Sequence, residues 1–178
     1  YGDMYLDDWA APAFDPAKSR ELLKAAGYNG DPIPYRLLND YYTLQVNTAQ
    51  VMVEMWNQVG LNVEIEMKEN WAQIWAPEGT RGIHDWSSGG SFPDPVATQP
   101  NQWGPQGQAV QTGEYHNDEV TQLCSVLQTS TDVAQRKKAF RRLLTVLEYE
   151  DPAYGVINQN ATFTAKAKST PWTAAPSF

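Results

Sequence analysis

The run His84-Asp85-Trp86-Ser87-Ser88-Gly89 sets one indole among acidic and hydrogen-bonding groups. In an extended strand alternate residues share a face, which puts His84, Trp86 and Ser88 on one side. Polar groups for orientation around an aromatic wall are what a site for a small solute uses, and the apolar neighbours of a core tryptophan are missing. We therefore expect Trp86 at a strand end, facing outward from its own core. Trp71 stands beside Ile74 and Trp75 and suits either a pocket wall or the core. Trp103, in Gln102-Trp103-Gly104-Pro105, has no periodic apolar neighbours, so it suits stacking on a ligand or anchoring its own loop. Asp85 and Asp94 are the carboxylates that flank Trp86 in sequence.

Catalytic chemistry finds no comparable constellation. The chain contains no G-x-S-x-G, no phosphate-binding loop and no H-E-x-x-H. His84 and His116 lack companions at metal spacing. A single cysteine, Cys124, excludes an internal disulfide and a cysteine-based zinc site; with Val120, Leu123 and Leu127 it continues a helix stripe and reads as a small buried hydrophobe. Asp94 and Glu114 form an acidic pair such as a glycosidase uses, but any acidic domain offers such pairs. We expect no enzyme activity, no cofactor and no metal.

A net charge of −8 opposes a nucleic-acid partner, whose phosphates require clustered cations. The one basic cluster, Arg136, Lys137, Lys138, Arg141 and Arg142, has helical spacing and reads as a solvated face. Aromatic residues make up 12% of the chain, a mild pointer to a recognition surface. No apolar run approaches the roughly 20 residues of a transmembrane helix. The chain opens on Tyr1 without a charged-then-apolar leader, so we expect it to be trimmed from something longer.

The elements that must position these groups follow from periodicity. Asp15-Pro16 starts a helix that stops at Gly27. Ile33 to Asn39 reads as a strand, and Leu44 to Val59 as a helix apolar almost all round, which expects cover on more than one side. In Asn62 to Lys68, Val63, Ile65 and Met67 alternate with Glu64, Glu66 and Lys68, a half-buried strand. A short helix over Asn70 to Trp75 and a strand over Ile83 to Ser88 lead into a long polar loop, Gly89 to Gly113. Helices over Asp118 to Thr129 and Asp132 to Tyr149 precede strands over Tyr154 to Asn158 and Thr162 to Ala167. Alternating strands and helices imply an α/β fold with a mixed sheet under helical cover.

The stretch Phe14-Asp15-Pro16-Ala17-Lys18-Ser19-Arg20-Glu21-Leu22-Leu23-Lys24-Ala25-Ala26-Gly27-Tyr28 resembles the DP-x-K-A-x-x-LL-x-x-AGY stretch of bacterial extracellular solute-binding proteins of the peptide and nickel class, family 5. Gln58-Val59-Gly60-Leu61, Val63-Glu64-Ile65, Trp86 through Asp94-Pro95, Tyr115 to Val120, Thr131 to Arg136 and Asp151-Pro152 follow in that family's order. The resemblance implies a periplasmic-binding-protein-like lobe of class II. Residues 1–178 would then be a single partial chain, the C-terminal lobe of a two-lobed receptor, with 1–14 as entry segment and 168–178 as tail. It further implies a small-molecule or oligopeptide solute, a missing N-terminal lobe of the same protein, an ABC permease as membrane partner and a periplasmic location.

In that family an acidic residue three positions after the tryptophan holds the α-amino group of peptides. Gly89 stands there in this chain. Either Asp94 or Asp85 substitutes, or the solute has no free peptide amine, because a buried ammonium without a counter-charge is costly. Trp71 matches a family tryptophan lining a side-chain pocket. The substrate-binding set is thus expected to be Trp71, Trp86, Ser87, Ser88, Gly89, Asp94 and Trp103. A free-standing carbohydrate-binding or adhesion module is the alternative, with an acidic glycoside hydrolase domain behind it.

Overall fold

Asp15 caps the first helix as its sequence predicts: its carboxylate accepts the Lys18 amide at 2.9 Å, with Pro16 at the first helical position. Gly27, at φ 68°, supplies the left-handed turn that ends it. This helix, α1 (Pro16–Ala25), is followed by β1 (Ile33–Leu38), α2 (Gln45–Val59), β2 (Val63–Lys68), α3 (Trp71–Ile74) and β3 (Ile83–His84). Then come α4 (Thr98–Trp103), α5 (Gln108–Gln111), α6 (Asp118–Thr129), α7 (Val133–Thr145) and a π-helical turn, Val146–Glu150. This computed structural model describes residues 2–39, 41–75, 82–89, 94–158 and 165–172. The chain divides into a sheet unit, residues 13–87, and a helical unit that joins residues 1–12 to 88–178.

The sheet unit holds a three-stranded sheet ordered β2-β1-β3. Both pairings are parallel, Ile33 to Leu38 lying against Val63 to Lys68, and Tyr35 and Arg36 against Ile83 and His84. The mixed sheet expected from the element order is therefore parallel throughout the described residues, because each strand is reached by a crossover. Tyr35, Leu37, Ala49 and Val63 form the buried core, and Val53 and Trp56 of α2 pack on it. Trp56 meets Tyr35 edge to face at 5.6 Å between centroids. Among the residues alternating with this core, Arg36 and Lys68 both pair with Glu66, at 3.5 and 2.8 Å. The sheet takes only one side of α2, so Val51 and Met55 remain 58% and 43% exposed.

The helical unit builds its core from Val120, Cys124 and Leu127 of α6, Phe140, Leu143 and Leu144 of α7, and Leu147 beyond it. Asn117 and Asp132 cap α6 and α7 by accepting the amides of Val120 and Gln135. Burial pushes the Cys124 thiol up to about 12, so it is inert as a nucleophile at neutral pH. Met4 and Leu6 are buried in this core, Trp9 donates its indole N–H to Glu148 at 3.1 Å, and Arg141 pairs with Asp8. The first residues are thus a structural part of this unit, where the sequence suggested an entry segment.

Four sequence expectations are corrected. The strand expected to run to Ser88 stops at His84, because β3 finds ladder partners only at Tyr35 and Arg36. The stretch 89–113 carries α4 and α5, held by buried Val96, Ala97, Pro100, Trp103 and Ala109, whose short apolar period is diluted by glutamine, glycine and proline. Tyr154 to Asn158 is irregular instead of a strand, and Tyr154 stacks on Trp103 at 5.5 Å. Residues 165–167 are not strand either, and 162–164 lie outside the described residues.

Candidate ligand-binding site

Parallel strands deliver their carboxyl ends to one edge, and in open α/β sheets that edge is where ligands bind. Here β1 runs on to Tyr41 and Tyr42, β2 to Trp71 and Trp75, and β3 to Asp85, Trp86 and Ser87. Their rings are in mutual contact. Tyr41 meets Tyr42 at 6.0 Å and Trp71 at 4.9 Å, both edge to face. Trp71 stacks on Trp75 at 5.7 Å, and Trp75 meets Trp86 at 5.7 Å. Trp86 also stacks on His84 at 4.9 Å, the same-face pair that counting by twos predicts.

Asp85 closes this run of contacts. Its carboxylate accepts the Tyr42 hydroxyl and, at 2.8 Å, the side-chain amide of Gln45. Gln45 is buried, and its carbonyl oxygen accepts the Tyr41 amide at 3.2 Å. The backbone just before it is strained: Leu44 adopts φ 63°, a left-handed conformation unusual for a branched side chain. That turn lets α2 begin directly beneath the two tyrosines.

Burial and the Asp85 carboxylate set the electrostatics at this edge, and both disfavour further negative charge. Burial, then the hydrogen bond to Asp85, pushes the Tyr42 phenol well above its ordinary range. Burial and the field of Asp85 do the same to Tyr35, whose fully buried hydroxyl lies near that carboxylate without hydrogen-bond geometry. Burial, reinforced by Arg36 and opposed by Asp85, pushes the His84 imidazole down to about 4, so it is neutral at physiological pH. The Trp86 indole N–H is buried and has no acceptor among the described residues. Ser87 is exposed, and its hydroxyl shares a 2.7 Å hydrogen bond with the Tyr41 hydroxyl.

Of the residues singled out by sequence, Trp71, Trp86 and Ser87 meet in the sheet unit, while Ser88, Gly89, Asp94 and Trp103 belong to the helical unit. The Ser88 hydroxyl accepts the Gln102 amide at 3.4 Å. Gly89 is exposed, and a Cβ placed on it would meet open space. Asp94 is engaged internally: it accepts the Val96 amide at 3.0 Å and pairs with Arg136 at 2.5 Å, both side chains mostly buried. Trp103 is 4% exposed and anchors its own segment between Tyr115 and Tyr154. Sequence reasoning missed Tyr41, Tyr42, Gln45 and Trp75 as site residues and read His84 as an ordinary polar residue. The available signal was their position, just after a predicted strand or at a helix start beside one.

In shape the chain is similar to NikZ from Campylobacter jejuni, solved in complex with Ni(L-His), with a TM-score of 0.68, 15% identity, and coverage of 84% of this chain and 33% of that one. It is similar to DppA from Helicobacter pylori in complex with the peptide STSA, with a TM-score of 0.66, 19% identity, and coverage of 82% and 29%. A dipeptide binding protein from Pseudoalteromonas sp. SM9913 in complex with Met-Leu gives a TM-score of 0.63 at 21% identity, covering 82% and 30%. The chain therefore spans about a third of the length of these structures and shares the periplasmic binding protein fold with them. No curated protein matches it in sequence. The family model for the bacterial extracellular solute-binding proteins, family 5, matches residues 2–110, more than half of the chain. The chain belongs to the bacterial extracellular solute-binding proteins of family 5.

Proposed function

We propose that this chain is the ligand-gripping part of a receptor that captures a peptide-like or other small polar solute outside the cytoplasm and delivers it to an ABC permease. The observation that carries this reading is the carboxyl edge of the parallel sheet, where Tyr41, Trp71, Trp75 and Trp86 form one run of ring contacts that Tyr42 links to the Asp85 carboxylate. Rings supply contact area and one charged group supplies orientation, the composition of a binding site. Trp71, Trp86 and Ser87 are the solute contacts in this reading. The remaining contacts come from a further lobe of the same polypeptide, which closes over the solute as hinged receptors do. Relatives crystallised with Ni(L-His), STSA and Met-Leu support a small polar solute.

Catalysis has no part in this proposal. Cys124 is buried and its thiol raised, and no group of three or more metal-ligating side chains occurs among the described residues. The test is mass spectrometry of small molecules that co-purify with the full-length protein, followed by calorimetry of the identified solute. A stoichiometric solute with a Kd in the micromolar range or tighter is the expected result. Absence of any bound or bindable solute, or conversion of the solute by pure protein, overturns the proposal.

A further inference from the structure

We propose that the solute held at this edge is an organic cation, with Asp85 as its counter-charge and the faces and edges of Tyr41, Trp71, Trp75 and Trp86 as its walls. The inference rests on the receptor reading and narrows it to one class of ligand.

Charge accounting at the site leads there. Asp94 is already matched by Arg136 at 2.5 Å, so the first acid after the family's position brings no spare charge. Asp85 differs, because its hydrogen-bond partners, the Tyr42 hydroxyl and the Gln45 amide, are both neutral. Neither cancels the carboxylate, and no Lys or Arg forms an ion pair with it among the described residues. Two hydrogen bonds also leave acceptor capacity, since an ionised carboxylate offers about four lone-pair sites. Arg36, the cation whose field reaches His84, is itself paired with Glu66.

The rings add to this preference. Contacts run from Asp85 through Tyr42, Tyr41, Trp71 and Trp75 to Trp86, so one continuous run of rings begins at the carboxylate. Aromatic faces carry negative potential and attract ammonium groups, tryptophan most strongly. His84, stacked on Trp86, adds no opposing positive charge at neutral pH because its imidazole is neutral. Electron-rich rings beside one unmatched carboxylate disfavour an anion and gain little from a neutral solute.

The test uses the full-length protein, intrinsic tryptophan fluorescence and two probes of nearly equal shape: choline, and its uncharged carbon analogue 3,3-dimethylbutan-1-ol. Choline is expected to bind at least tenfold more tightly than the alcohol. Asp85→Asn should remove most of that preference, and Trp71→Leu should weaken choline while sparing the fold. Asp94→Asn should leave the ratio of the two affinities within about twofold. Equal affinities for the two probes, no binding of choline at tens of millimolar, or an unchanged ratio in Asp85→Asn overturns the inference. The probe comparison in unmodified protein stands even if a variant fails to fold. A co-purified solute that is neutral or anionic overturns the cation and leaves the receptor intact, whereas a protein that binds no solute at all overturns both.

Discussion

Replacing Trp103 by alanine separates a core tryptophan from a ligand-stacking one. An indole side chain presents roughly 200 Å² of surface, and at Trp103 only 4% of the residue remains exposed. At about 25 cal/mol per Å² that burial contributes on the order of 5 kcal/mol. Residual burial in the unfolded chain lowers this by roughly 10–40%, while loss of the stacking on Tyr154 at 5.5 Å and the edge contact with Tyr115 at 5.4 Å offsets part of the correction. We expect Trp103→Ala to destabilise the helical unit by about 3–5 kcal/mol, a large share of the roughly 5–15 kcal/mol typical of a domain. Urea denaturation followed by far-UV circular dichroism measures it, with Trp103→Phe as a partial rescue that keeps a ring against Tyr154. Solute affinity, measured well below the midpoint of the variant, should be unchanged. A stability loss under about 1 kcal/mol, or a loss of affinity without one of stability, refutes the core assignment.

Trp86→Ala should show the opposite pattern, costing on the order of 2 kcal/mol or more in solute binding with a small change in melting temperature; calorimetry and a thermal scan on one variant decide it. Asp94→Asn keeps the acceptor for the Val96 amide but leaves Arg136 without its charge partner, so we expect roughly 1–3 kcal/mol of lost stability and no change in affinity, read from denaturation and binding on the same sample. His84 is buried neutral with its folded value depressed to about 4. Between that value and the unfolded one near 6.5 the unfolded state binds the extra proton, so stability present above pH 6.5 falls as pH drops toward 4, by an upper limit of roughly 3 kcal/mol. Denaturation midpoints across that window should slope in the natural sequence and flatten in His84→Gln; identical slopes would remove His84 as the cause.

The elements legible in sequence are those whose signals are local. An Asp-Pro start, a glycine stop and alternation of Val63, Ile65 and Met67 against charged neighbours marked α1, α2 and β2 to within a residue or two. Short helices such as α4 were hidden, because six residues hold under two turns and Gln99, Asn101 and Gln102 dilute the apolar period. The strand end at His84 was illegible for another reason: where β3 stops is decided by its partner β1, not by its own residues. At the site, alternation by twos placed His84 and Trp86 on one side, and their rings stack. Tyr41, Tyr42, Gln45 and Trp75 join that pair only through parallel pairing of distant segments, which no single window of sequence contains.

The helical unit's discontinuity sets a timetable for synthesis. Met4 and Leu6 are translated before the rest of this unit, and the α7 residues that complete their core, Phe140 and Leu143 among them, lie more than 130 positions later. At roughly 5–20 residues per second the nascent segment waits about 7–27 s with its apolar side chains uncovered. Residues 13–87, in contrast, contain their whole sheet and can close as soon as β3 has been translated. Holdase chaperones would accordingly engage residues 2–12 until α7 emerges, and a translation pause placed before α7 would prolong that engagement.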